Sequence, residues 1–361
     1  MTLVAIALTS CSTRTPGPRA SGTSTPSGAA STSARASNKS VRVVTARQAL
    51  YVYQNAIWLY DVKTNTTRQV TQGGFVLLPK WIDANHFSFI EGGRTLEIVD
   101  LKVGTTTAVF TAPGAIQAYG WSPDHETVAY IELDSSSYPH VRYRSISDGA
   151  TESVATLAYV PGRGAIQGED LQVEFSKDGA YVLVVYTPAE GTSSTVPPEQ
   201  SRFQIRGSDG SLVFSDDMTR QPTMGIFSRD GKTVYFMDSG GVRAWSAASG
   251  ETRTVRRMQW FHPWLSPDGN IVSFDTGDFS AKVRVRTLDL RSLTVRTVSI
   301  QGRGFPVFAG PASLWIQEIV PCPGACDSPT LFGRVFQLNT TTGKESVLPM
   351  HSLLQVDVLY A

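Results

Sequence analysis

The chain has 361 residues, with 32 Lys plus Arg against 31 Asp plus Glu, 41% hydrophobic residues and three cysteines. A net charge of +1 spread along the chain excludes a nucleic-acid binder that works by neutralising phosphates. No apolar run reaches the roughly 18 to 20 residues of a membrane-spanning helix, so a large globular body remains.

The first ten residues, MTLVAIALTS, carry one short apolar stretch from Leu3 to Leu8 and lead into Leu8-Thr9-Ser10-Cys11. This resembles a bacterial lipobox. The resemblance implies that residues 1–10 are a truncated lipoprotein signal peptide and that Cys11 carries the lipid. The protein would then be exported and anchored on the extracytoplasmic side, in the periplasm or at the cell surface. The stretch lacks a preceding Lys or Arg and is shorter than the roughly 7 to 15 apolar residues of most signals. A start upstream of Met1 accounts for both departures; a frayed cytoplasmic N-terminus with a chance cysteine is the alternative.

From Ser12 to Ser40, 24 of 29 residues are Ser, Thr, Pro, Gly or Ala, too little apolar surface to offset the entropy of ordering. Residues 11–47 are therefore expected to be a disordered linker. Its charges are all basic (Arg14, Arg19, Arg35, Lys39, Arg42, Arg47), which suits a solvated spacer or one lying along anionic headgroups.

Beyond residue 70 a unit recurs in which a large apolar residue leads a tight turn and a strand. The copies are WIDANHFSFIE from Trp81, WSPDHETVAYIE from Trp121, FSKDGAYVLVVY from Phe175, FSRDGKTVYFMD from Phe227 and LSPDGNIVSFDT from Leu265, with a degenerate FAGPASLWIQE from Phe308. Their spacing of about 40 to 50 residues fits one four-stranded propeller blade per unit. In Ser-Pro-Asp-Gly, Pro presets φ, Asp bonds its own backbone two residues on, and Gly takes the positive φ. The unit resembles the TolB-type, WD40-like propeller repeats of bacterial envelope proteins, which implies an all-β propeller over residues 48–361.

Ala49–Tyr53, Ala56–Tyr60 and Thr67–Val70 read as the second to fourth strands of a blade that lacks its first, and the run from Leu353 to Tyr360 reads as a lone strand. Pairing the two closes a ring of seven blades and removes both sheet edges. Six blades is the alternative.

In such a ring the short repeated turns share one face, and the irregular connections share the other. Binding tends to use irregular loops on a rigid scaffold. The candidate contact residues on that rim are Tyr138, His140, Arg163, Glu169, Asp170, Trp260, His262 and Arg303, with Trp260 and His262 favoured because Trp260-Phe-His-Pro-Trp264 enters an inner strand. Cys322-Pro-Gly-Ala-Cys326 folds back through a Pro-Gly turn, and a disulfide is expected there.

No nucleophile elbow, zinc-protease, phosphate-loop or calcium-loop motif occurs, so no catalytic residues, metal or cofactor are expected. The function that follows is a monomeric, non-catalytic envelope lipoprotein whose propeller binds a protein or glycan. It would touch the membrane only through its lipid and would bind no nucleic acid. The alternative is a propeller enzyme, a lyase or hydrolase of an extracellular polymer. Carboxylates gathered around His262 or His140 at the channel mouth would favour the enzyme, and an apolar or mixed mouth would favour binding.

Overall fold

The computed structural model describes residues 44–72, 74–157, 171–186, 201–216, 224–238, 240–276, 282–321 and 330–361. These form seven four-stranded antiparallel blades, with no helix among the described residues. The inner strands, in ring order, are Asp357–Tyr360 (blade 1), Val76–Trp81 (blade 2), Ala115–Trp121 (blade 3), Leu171–Phe175 (blade 4), Ile226–Phe227 (blade 5), Phe261–Leu265 (blade 6) and Arg303–Gly310 (blade 7). The seven-blade expectation holds, including its closure. Ala49 pairs with Val358 and Leu50 with Asp357, so the last strand completes the first sheet.

Packing follows from burying both faces of every sheet. Seven apolar clusters fill the seven gaps between neighbouring blades. In the strand His86–Glu91, Phe89 turns to blade 1 while the adjacent Ile90 turns to blade 3. Successive residues on opposite faces both meet a core, which is why such strands read as nearly continuous apolar runs.

The repeated turn has a second tie that Pro, Asp and Gly do not explain. Its serine hydroxyl donates to the Asp two residues on, at 2.5 to 2.7 Å, from Ser122, Ser176, Ser228 and Ser266. Each hydroxyl also accepts the backbone N–H five residues on, from Thr127, Tyr181, Thr233 and Ile271. The Asp carboxylate then takes the N–H two residues beyond itself. Gly231 has φ +73°, a conformation that costs a residue with a Cβ about 1 to 3 kcal/mol; His125 occupies the same place with φ 60°. Serine hydroxyls are the leading cause that holds the Asp124, Asp178 and Asp230 carboxyls below their ordinary range.

Candidate functional site

On the face opposite the repeated turns, the channel opens as a cavity of about 330 Å³ to which all seven blades contribute. Blade 2 supplies Leu77 and Leu78, blade 3 Ile116 and Gln117, blade 4 Leu171, and blade 5 Met224. Blade 6 supplies His262 and Trp264, blade 7 Phe305 and Val307, and blade 1 Leu354 and Gln355. Among the described residues, no Lys, Arg, Asp or Glu lines it. The volume lies near the lower end of small-ligand sites, roughly 300 to 1,000 Å³.

The repeat explains how these side chains reach the mouth. Counted back three from the residue leading each turn (Trp81, Leu265, Phe308) stand Leu78, His262 and Phe305, with φ of 55°, 48° and 51°, and each precedes a proline. At each, three steps along the inner strand oppose two on its partner, a one-residue bulge. Proline has no N–H for the ladder, and the bulge removes the need for one. Gln355, three before Val358, has φ 49°, so four consecutive blades (6, 7, 1 and 2) share this uncommon backbone at the mouth. Strained residues on a rigid scaffold mark a candidate functional site.

A second element of the mouth is polar. His262 Nδ1 donates to Asp275 Oδ2 at 2.8 Å, and the Phe305 backbone N–H donates to the same oxygen at 3.1 Å. Asp275 is 2% exposed. The His262 ring lies over Phe305 with centroids 4.1 Å apart, so the carboxylate orients both halves of one platform.

The other candidate residues are distributed differently. Tyr138 is exposed on the blade 3 loop. In the strand that follows that loop, His140 is bound to Asp134 at 3.0 Å and to Thr156 at 3.0 Å, so it ties the loop down. Trp260 must be corrected: it is fully buried in the core between blades 5 and 6, because the proline-containing segment turns it outward from the axis while His262 faces the mouth. Arg303 must also be corrected. It is 8% exposed, pairs with Glu345 at 3.1 Å and Glu318 at 3.4 Å, and lies 4.2 Å over the Phe336 ring. Arg163, Glu169, Asp170, Cys11, Cys322 and Cys326 lie outside the described residues. Sequence reasoning missed Leu78, Phe305 and Gln355, although aligning the copies on their lead residues and counting back three would have found them.

No protein-family profile matches the sequence, and no curated protein does. Solved structures do resemble it. An oligogalacturonate lyase in complex with manganese shares 14% identity at a TM-score of 0.58, over 81% of this chain and 83% of that one. The Cps50 (Swd1) β-propeller domain of Myceliophteria thermophila shares 13% at 0.51, over 73% and 87%. TolB from Acinetobacter baumannii shares 15% at 0.41, over 84% and 80%, too loose a superposition to weigh. At such identities the likeness is one of fold, and the propeller implied by the repeat is the fold observed.

Proposed function

We propose that this is an exported, lipid-anchored propeller, held at Cys11, whose channel mouth receives an apolar segment of a partner protein without catalysis. The apolar mouth carries this reading: seven blades converge on it, and among the described residues none places a charged side chain in its lining. A glycan would need a fringe of hydrogen-bonding groups, whereas the mouth offers mainly Leu, Ile, Met, Phe, Trp and Pro. Exposed Phe75 and Phe332 extend the apolar surface; Phe75 lines the mouth and Phe332 packs 5.3 Å from Phe305. The test is capture from envelope extracts by the tagged parent and by a Leu78→Asp, Ile116→Asp double variant. A partner retained by the parent and lost by the variant supports the reading, and equal retention by both overturns it. Fatty-acid labelling of the parent but not of Cys11→Ser would support the anchor.

The second reading is a lyase or hydrolase of an extracellular polymer, and the His262–Asp275 pair favours it, because a carboxylate-oriented imidazole is a common general base. An anionic polymer such as oligogalacturonate calls for cations at the mouth, and among the described residues no Lys or Arg lines it. Nor do the residues fit a metal centre: among those described, no group of three His, Cys, Asp or Glu could hold one. Turnover of oligogalacturonate by the parent, abolished in His262→Ala, would establish the enzyme instead.

A further inference from the structure

One register level below the mouth's bulges, immediately before each turn's lead residue, the inner strands carry Asp357, Lys80, Gly120, Glu174, Ile226, Trp264 and Val307 in blades 1 to 7. Trp264 and Val307 of this level line the mouth cavity, and Asp357, Lys80 and Glu174 stand at the same register level just outside its lining, as a floor beneath it. The floor is two-sided. Blades 1, 2 and 4 present charges, and blades 5, 6 and 7 present Ile, Trp and Val.

The charges act on one another without a direct ion pair among the described residues. No hydrogen bond or ion pair engages the Lys80 Nζ among the described residues, although it lies 5.9 Å from the centre of the Tyr119 ring and remains partly exposed. Asp357 is committed: its carboxylate accepts the backbone N–H of Trp81 at 2.7 Å and of Val358 at 3.0 Å. Glu174 is half committed. Gln172, locked by two hydrogen bonds to the Gly225 backbone, donates to Glu174 Oε2 at 2.7 Å, and no described donor reaches Oε1. Burial pushes both carboxyls upward, and the Lys80 charge opposes that shift in each. The floor thus holds one ammonium without an acceptor and one carboxylate oxygen without a donor, facing an apolar wall.

We propose that this floor binds a small zwitterion with an apolar side chain, a free amino acid of the leucine or phenylalanine type. Lys80 holds its carboxylate, Glu174 holds its ammonium, and its side chain lies against Trp264 and Val307. A ligand carrying one charge of each sign fills both vacant positions and adds no net charge to the site. An anion alone would cover Glu174 without giving it a donor, and a cation alone would cover Lys80 without giving it an acceptor, each a cost that a zwitterion avoids. The site shares Trp264 and Val307 with the partner-binding mouth, but its charged residues are separate from it and it does not depend on that reading.

The experiment is calorimetric titration of the full chain with L-leucine and L-phenylalanine, then with N-acetyl-L-leucine and L-leucinamide. Saturable binding of at least one free amino acid is expected, with either blocked compound at least about tenfold weaker. Lys80→Met should lose the discrimination against the amide, and Glu174→Gln the discrimination against the acetyl compound. Absence of saturable binding at millimolar concentration, or equal binding of free and blocked forms by the parent, overturns the proposal. That comparison needs only the parent chain, so a variant that fails to fold does not shelter the idea. Capture of a partner that depends on Leu78 and Ile116 would stand whichever way these titrations fall.

Discussion

The Asp357 carboxylate accepts the backbone N–H of Trp81 at 2.7 Å, joining positions 276 residues apart in sequence. It is one of several ties by which side chains satisfy inner-strand N–H groups that have no ladder partner at the axis. Gln355 does the same for Leu78 at 2.9 Å and Asp275 for Phe305. Replacing Asp357 by Ala should cost about 1 to 3 kcal/mol by leaving a buried donor unmatched, and Asn should restore part of it. Urea denaturation of the two variants beside the parent measures this. Deleting Leu353 to Ala361 should lower the melting temperature far more, since blade 1 then loses its inner strand; a deletion that melts like the parent would contradict the observed closure.

The turn serines are expected to matter as much as the better-known turn residues. Ser228→Ala removes both a donor to Asp230 and an acceptor for Thr233, and should destabilise blade 5 by about 1 to 2 kcal/mol. Asp230→Ala should cost a similar amount, and the double variant less than the sum, because the two side chains act through one network. Gly231→Val should be worse than either, with its Cβ forced into a positive φ and to within 2.9 Å of Asp178 Oδ1. Additive costs for Ser228 and Asp230 would show that they do not cooperate.

Acid should expose the two kinds of carboxyl separately. Asp178 and Asp230 are held below their ordinary value, so the stability they contribute is complete above about pH 4 and is lost as pH falls through their folded values. Glu174 is raised. Its contribution is complete below the ordinary Glu value near pH 4.3 and fades as pH rises through the folded value. Relative to the parent, Glu174→Gln should therefore gain stability as pH rises from about 4 toward 8, while Asp178→Asn with Asp230→Asn should flatten the decline below about 4. Melting curves across that range decide both; the opposite slope for Glu174→Gln would refute its assignment.

Stability and binding should part company between the buried Trp260 and the mouth residue Leu78. Trp260→Ala empties a fully buried site and should cost about 3 to 5 kcal/mol. Leu78→Asp, at the partly exposed mouth, should change the melting temperature little and remove binding. A thermal scan with a capture assay on the same preparations separates the two. Tyr51 offers an internal probe of the closed ring: burial pushes its phenol to about 12, so its ultraviolet titration should lag behind that of an ordinary tyrosine until the protein unfolds.

The repeated turn made most of the architecture readable, because a local hydrogen-bonded device must carry the same residues wherever it recurs. Closure was readable for a related reason: a lone strand at one end and a missing one at the other leave a single way to remove both edges. The mouth was harder. Trp260 and His262 are two residues apart and look equally suited to a rim, yet the bulge at His262 sends one into the core and the other to the axis. Arg303 reads as an exposed contact residue until its partners Glu318 and Glu345 are known, and neither is near it in sequence. Lys80, Glu174 and Asp357 meet only because the ring closes, and each looks like an ordinary polar position of its own strand.

The pairing of Ala49 with Val358 also sets an order of events during synthesis. A ribosome delivers the outer three strands of blade 1 early and their inner partner almost last, so no intermediate length of nascent chain can possess the finished ring. The rate of folding is governed by how far apart in sequence the contacting residues lie, and this contact spans nearly the whole propeller. The ring therefore stays incompletely assembled until Asp357–Tyr360 has been made. Synthesis stopped just before Asp357 should yield a protease-sensitive product, because blade 1 then lacks its inner strand.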